Sequence, residues 1–310
     1  MIAVEDITWI RYRAPDLKLM AEFLTDFGLQ PVLATEDRLF MRAHGPMPVV
    51  HVTERGPTGQ IGFGLKVGSR ADLETIASER GASIESRTEP GGGEVVRLKD
   101  PDGTHLEIVY GFEPRAAVET RAPFGFNPKH GRVRHNGTVR VKSEPSLVQR
   151  LGHVALFTGR FAEMKAFYMD DLGMRVSDEY YVGDSKNIMA TFLHCGLDDE
   201  FVDHHTVAII GNGRTGFEHC AFEVTDLDDL MSGNAYLLSR NRWTHSWGIG
   251  RHVEGSQIFD YWRDPFGNKI EHWTDGDLVN DHYGGTSKEF DPVTSLVQWG
   301  PGVTQDFLDP

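Results

Sequence analysis

DPDGTHLE at residues 100–107 and DPFGNKIE at residues 264–271 are two versions of one pattern in a single chain. In each, Asp-Pro-x-Gly has the composition of a tight turn, and the residues after it feed a strand that carries a glutamate, Glu107 or Glu271. The duplication extends upstream. ITWIRYRA reads as a strand, followed by Pro15, by Asp16 as a helix cap, and by LKLMAEFLTDFG with Leu17, Met20, Phe23, Leu24 and Phe27 on one helical face. Gly28 stands where a left-handed residue ends such a helix. From Leu151 the order recurs: LGHVALFT as a strand, then FAEMKAFYMDDLG as a helix ending at Gly173. Midway through the halves, GFGLKVGSRADLETI parallels EHCAFEVTDLDDLM as strand, cap and helix.

Each half therefore holds two strand–helix–strands modules. The expected fold is α+β: four tandem βαβββ modules, two per half, forming two curved mixed sheets. The expected organisation is a degenerate first half without metal over 1–112 and a connecting segment over 113–148 that wraps the first half. A second half bearing the site follows over 149–276, then an extended tail over 277–310 that covers it.

Composition narrows the partners. The chain has 310 residues, 39% hydrophobic and 25% charged, which suits a soluble globular protein of two ordinary domains. Lys plus Arg is 31 and Asp plus Glu is 46, a net charge of −15 that speaks against nucleic acid and anionic membranes, since both need a basic footprint. No run approaches the roughly 20 apolar residues that span a bilayer. MIAVEDITWIRYRAPDL lacks the apolar core of a signal peptide. Cys195 and Cys220 are too few for a disulfide framework. A cytoplasmic protein acting on a small molecule is expected.

The halves differ in their polar strand residues. The second has His153, His219 and Glu271; the first has Thr8 or Trp9, then a position near Gly62, then Glu107. Two imidazoles and one carboxylate leave open positions on one side of a metal, which suits non-haem Fe(II) and also Mn(II). The lack of thiolate ligands argues against structural zinc. The spacings, 219 − 153 = 66 and 271 − 219 = 52, make no local motif, so only the repeat ties the three together. A lone strand histidine is more often a hydrogen-bonded core residue, and a lone glutamate such as Glu107 a surface carboxylate. Joint occurrence at equivalent positions favours a site. Two further segments add histidines. DHHTVAII puts His204 and His205 at the head of an apolar strand, on opposite faces, so that one alone can enter a pocket. GIGRHVEGS is a glycine-punctuated loop with His252, followed by the strand QIFDYWRDP with Tyr261.

GIGRHVEGSQIFDYWRDPFGNKIEHW, together with LGHVALFT and HHTVAII, resembles the type I extradiol ring-cleavage dioxygenases of the vicinal oxygen chelate superfamily, a glyoxalase/bleomycin-resistance/dioxygenase-like fold. The resemblance covers nearly the whole chain. It implies that His153, His219 and Glu271 hold Fe(II), with Mn(II) as the alternative, and that O2 is a co-substrate. It implies that His205, 219 − 205 = 14 residues before the second ligand, is the active-site acid/base, and that His252 and Tyr261 hydrogen-bond the bound substrate or oxygen. His204 would be its outward neighbour. The substrate would be a catechol, cut beside rather than between its hydroxyls, and the protein a homo-oligomer. Family members acting on carboxylated catechols tend to place arginines near the ring substituent. Here Trp247 stands five positions before His252, so an apolar or neutral substituent is expected: biphenyl-like, alkyl or trihydroxytoluene. His204, His245 and His282 are weaker candidates for substrate contact. Cys220 should face away from the metal by strand alternation. The alternatives are a metal-dependent isomerase or thiol transferase of the same superfamily, without oxygen chemistry, and a non-enzymatic protein that sequesters an aromatic compound. His205 and the Gly-Arg-His stretch favour the dioxygenase.

Overall fold

In the computed structural model, which describes residues 2–309, the first helix shows how local sequence sets local structure. Helix α1 (Leu17–Phe27) buries Leu17, Met20, Phe23, Leu24 and Phe27, and the Asp16 side chain accepts from the Lys18 and Leu19 amides. Gly28 ends it at φ 114°, its N–H reaching the Leu24 and Thr25 carbonyls. A Cβ at Gly28 would lie 2.1 Å from the Ser146 carbonyl oxygen, so glycine is required by close approach as well as by backbone angle.

The first module comprises β1 (Val4–Ala14), α1, β2 (Gln30–Ala34), β3 (Arg38–Arg42) and β4 (His51–Arg55). The second comprises β5 (Gly59–Val67), α2 (Arg70–Arg80), β6 (Ile84–Ser86), β7 (Glu94–Lys99) and β8 (His105–Tyr110). Together they make an 8-stranded sheet of order β2-β3-β4-β1-β5-β8-β7-β6. The third module runs through β9 (Val148–Phe157), α3 (Phe161–Ala166), β10 (Met174–Tyr181), β11 (Ile188–Cys195), β12 (Val202–Asp203) and β13 (Val207–Ile210). The fourth runs through β14 (Gly216–Val224), α4 (Leu227–Ser239), β15 (Thr244–Arg251), β16 (Ile258–Arg263) and β17 (Lys269–Thr274). The tail adds β18 (Leu278–Val279), β19 (Thr286–Glu289) and a short α5 (Gln305–Leu308). The second sheet is 9-stranded, β15-β16-β17-β14-β9-β13-β11-β10-β19. These are the mixed sheets expected of tandem βαβββ modules.

The registers repeat as well. β1 lies antiparallel to β5 and β9 antiparallel to β14, while β8 and β17 run parallel to β5 and β14. Glu107 sits opposite Gly64 and Glu271 opposite Ala221, so the two glutamates hold the same place in their sheets.

One core joins the halves. The Phe27 ring stacks on His272 at 3.6 Å, and the Phe27 carbonyl accepts from His272 Nε2 at 2.8 Å. The Tyr12 hydroxyl donates to Cys220 Sγ at 3.3 Å, on the apolar face of β14 that alternation assigns to that cysteine. No helix among the described residues is long and apolar enough to cross a membrane.

Four local expectations change. The helix after β9 turns π-helical over Phe167–Asp171, burying Phe167 and Tyr168, and the Tyr168 hydroxyl reaches Asp100 of the first half. GIGR is strand rather than loop: a Cβ at Gly250 would meet the Phe259 ring at 2.6 Å, so these glycines let the neighbouring strand and the tail come close. His204 and His205 fall between β12 and β13, where strand alternation does not apply. The stretch between β8 and β9 follows the first half through bonds to Gly91, Pro46 and His44, then crosses over. There Arg121 pairs with Asp226, the N-cap of α4, at 2.6 and 2.7 Å.

Candidate metal centre and its pocket

β17, β14 and β9 are consecutive neighbours, and each sends one side chain to a common point. His153 Nε2 and His219 Nε2 are 3.2 Å apart, and Glu271 Oε2 lies 3.3 Å from each. Three donors each about 2.1 Å from one ion are separated by roughly 3.0–3.4 Å, so the triangle has the right size for a first-row dication. Glu271 is 0% exposed, yet neither of its oxygens has a hydrogen-bond partner among the described residues. A bare buried carboxylate is costly unless a cation completes it. Burial pushes its carboxyl above the ordinary range. Burial and the neighbouring His219 hold His153 far below the ordinary histidine value, hence neutral and able to donate a lone pair. The residues fit a divalent ion bound by two nitrogens and one oxygen.

A support for this centre has no signal in the sequence. Glu218 accepts from His219 Nδ1 through one oxygen and from the buried Lys269 ammonium through the other. That bond puts the His219 proton on Nδ1 and points a lone pair on Nε2 at the ligand triangle. Alternation would have sent Glu218 and His219 to opposite faces. A register shift between Phe217 and His219 lets both side chains share one.

A cavity of about 450 Å³ opens above the triangle. Phe157, Phe192, Ile210, Trp247, Phe290 and Leu296 contribute its apolar wall, while His205, His252 and Tyr261 face into it. The His205 ring lies 4.3 Å from that of His153, tilted by 51°. His252 Nδ1 donates to the Leu296 carbonyl at 2.8 Å, which leaves Nε2 to accept from the Tyr261 hydroxyl at 2.9 Å. Burial keeps both His205 and His252 below the ordinary histidine value. Burial, then the charges of Glu271 and Glu218, hold the Tyr261 hydroxyl well above the usual phenol range. Trp247 lines the cavity and lies nearly parallel to Tyr261, 5.6 Å away at 13°.

Three weaker candidates for substrate contact do not line this cavity. His204 is not an outward neighbour but fully buried, with Nε2 2.7 Å from Asp178 Oδ2. His245 is held by Asp260 at 2.7 Å, and His282 pairs with Asp199 on the surface, so local carboxylates claim both rings. Asp178, His204 and Glu254 form a second cluster of ligand-type atoms, but its donors and acceptors are already engaged: Thr286 and Tyr283 bond Asp178, and Lys288 bonds Glu254.

The profile of the Glyoxalase/Bleomycin resistance protein/Dioxygenase superfamily matches residues 150–272, the span that contains the ligand triangle. Metapyrocatechase 2 of Cupriavidus necator is 29% identical over 314 residues, covering 99% of this chain and 92% of that protein. The manganese-dependent 2,3-dihydroxybiphenyl 1,2-dioxygenase of Geobacillus genomosp. 3 is 24% identical, covering 95% and 89%. Among solved structures, the Mn(II)-bound glyoxalase from Novosphingobium aromaticivorans superposes with a TM-score of 0.80 at 24% identity, covering 100% of this chain and 96% of that one. A likeness at that identity shows the fold and leaves the reaction to the site.

The equivalent place in the first half is occupied differently. Glu107, expected at the surface, is buried: its Oε2 accepts from Trp9 Nε1 at 2.8 Å and from the Arg11 guanidinium at 3.0 Å. Arg11 also pairs with Glu54 at 3.0 Å and Glu89 at 2.7 Å. Two residues before the partners of the paired glutamates, β14 has His219 and β5 has Gly62. A Cβ at Gly62 would lie 1.7 Å from the His105 carbonyl oxygen, which leaves no room for an imidazole. In this half a guanidinium and an indole N–H neutralise the glutamate.

Proposed function

We propose that the chain is a metal-dependent extradiol dioxygenase, holding Fe(II) or Mn(II) through His153, His219 and Glu271 and cleaving a catechol beside its two hydroxyls with O2. The observation that carries this reading is the bare, buried Glu271 carboxylate facing the His153 and His219 imidazoles at the floor of an apolar cavity that also presents His205, His252 and Tyr261. Full-length similarity to a metapyrocatechase and to a 2,3-dihydroxybiphenyl 1,2-dioxygenase supports it. A dication on these ligands would chelate the catechol oxygens, bind O2 on the same open face and relay charge between them.

The chain's own groups do the rest. Tyr261 and His252 form one hydrogen-bonded pair at the cavity wall, where they orient oxygen atoms of substrate and dioxygen. His205 accepts and returns a proton at the edge of that space. The aromatic wall excludes water and favours a ring with an apolar or neutral substituent, while Arg214 also lines the cavity and is the cation a carboxylated substituent would meet. Both atoms of O2 enter the product, so the reaction needs no external reductant. The resemblance further suggests a homo-oligomer in the cytoplasm.

The test is anaerobic reconstitution with Fe(II) or Mn(II), addition of a catechol, then air, following oxygen uptake and the visible spectrum. Oxygen consumption with a yellow ring-cleavage product, faster for alkyl- or phenyl-catechols than for carboxylated ones, is expected. Bound metal with no oxygen uptake from any catechol would move the assignment to the isomerases of the superfamily. Failure to bind either metal would leave a protein that sequesters aromatic compounds.

A further inference from the structure

We propose that Asp178 and His204 are positioning residues that fix the tautomer of His205, leaving a bare nitrogen facing the substrate cavity. The inference rests on the reading of His205 as the acid/base group and goes beyond it by naming what prepares that group.

Asp178, His204 and His205 form one hydrogen-bonded row. Asp178 Oδ2 lies 2.7 Å from His204 Nε2. A carboxylate only accepts, so the proton is on His204 Nε2. In the one-proton form of the ring this makes His204 Nδ1 an acceptor. That atom lies 3.1 Å from His205 Nδ1, and a contact of this length between two nitrogens requires a proton between them. His205 supplies it. Its Nε2 is then a bare lone pair, without a protein partner among the described residues, on a ring that lines the cavity. A lone pair there can take a hydroxyl proton from a catechol; an N–H there cannot.

The row is anchored from outside. Asp178 Oδ1 accepts from the Thr286 amide at 2.6 Å and its hydroxyl at 2.5 Å, and Oδ2 accepts from the Tyr283 hydroxyl at 3.2 Å. All three donors come from the tail. Gly255 closes the other side at φ +73°, where a Cβ would stand 3.1 Å from His204 Nδ1. Asp178, His204 and His205 are all buried, so water does not compete for these bonds.

Asp178→Asn reverses the row without changing its shape. The amide carbonyl still accepts from Thr286, while the NH2 group donates to His204 Nε2. His204 must then carry its proton on Nδ1 and donate to His205, whose own proton moves to Nε2. Ring 15N spectra of the metal-free protein near neutral pH read this directly. His205 should be the Nδ1–H tautomer in the wild type and the Nε2–H tautomer in the variant. In the metal-loaded protein, kcat should fall by roughly a hundredfold, while metal affinity and anaerobic catechol affinity stay within about twofold. A purely structural role for Asp178 would lower binding and stability together. The proposal is overturned if wild-type His205 carries its proton on Nε2, if wild-type His204 carries both protons, or if Asp178→Asn leaves the His205 tautomer unchanged. The wild-type spectrum alone decides if the variant does not fold. Tautomer inversion in a protein that cleaves no catechol would uphold the row and sink the dioxygenase reading. Full ring cleavage with an unchanged tautomer would do the reverse.

Discussion

The register shift between Phe217 and His219 puts the Glu218 carboxylate on the same face of β14 as the imidazole it holds. His153, His219 and Glu271 stand out because each has a counterpart in the first half, and the structure brings their ligand-type atoms within 3.3 Å of one another. Glu218 has no such signal. Only the bulge turns it toward His219, and only the fold supplies Lys269. Glu218→Gln should therefore weaken Mn(II) or Fe(II) binding by about ten- to a hundredfold, through loss of the charged partner that orients His219. Chelator competition measures this, and unchanged affinity would show that His219 needs no such support. Asp178 was illegible for a related reason: it reaches His204 across 26 residues, through a pairing of strands that no local spacing encodes. Alternation misplaces His204, because residues 204 and 205 lie between strands.

Among the elements, α1 was readable to the residue at both ends, since Asp16 and Gly28 act through bonds to backbone only a few residues away. The tail was not, because its structure comes from what it lies on. Thr304 caps α5 and also bonds the Ser246 carbonyl, Lys269 donates to the Phe307 carbonyl, and Trp247 donates to that of Pro301. The Phe307 ring lies 4.8 Å from Tyr261 and 4.7 Å from Trp247. Ending the chain after Gly302 removes this ring and Leu308 from the cavity wall. KM for a catechol should rise by about tenfold, the equivalent of about 1.4 kcal/mol, while metal affinity is unchanged. An unaltered KM would mean that the tail only decorates the sheet.

For the molecule as a whole, the repeat predicted two mixed sheets because hydrophobic pattern and turn chemistry were copied with the strands. It said nothing of how the first half would neutralise Glu107, since ion pairing among Arg11, Glu54 and Glu89 depends on strands far apart in sequence. Burial also leaves a mark on acid stability. His51 in β4 is buried, which lowers its pKa from 6.5 to about 3. A depressed folded-state value means that its share of stability is complete above 6.5 and is lost as pH falls toward about 3, because the unfolded chain takes up the proton first. Lowering pH from above 7 to near 5 should cost the wild type about 2 kcal/mol relative to His51→Gln, read from urea unfolding at each pH. An equal response in both proteins would mean that the ring protonates without unfolding. The seam between the halves has a wider consequence. Cys220 and His272, each next to a residue of the ligand triangle, are locked to Tyr12 and Phe27 of the other half. The first half thus acts as a jig that sets the spacing of the strands bearing the triangle. A shorter polypeptide holding only the half with the ligand triangle would meet water along that seam, where Cys220 and His272 now find Tyr12 and Phe27.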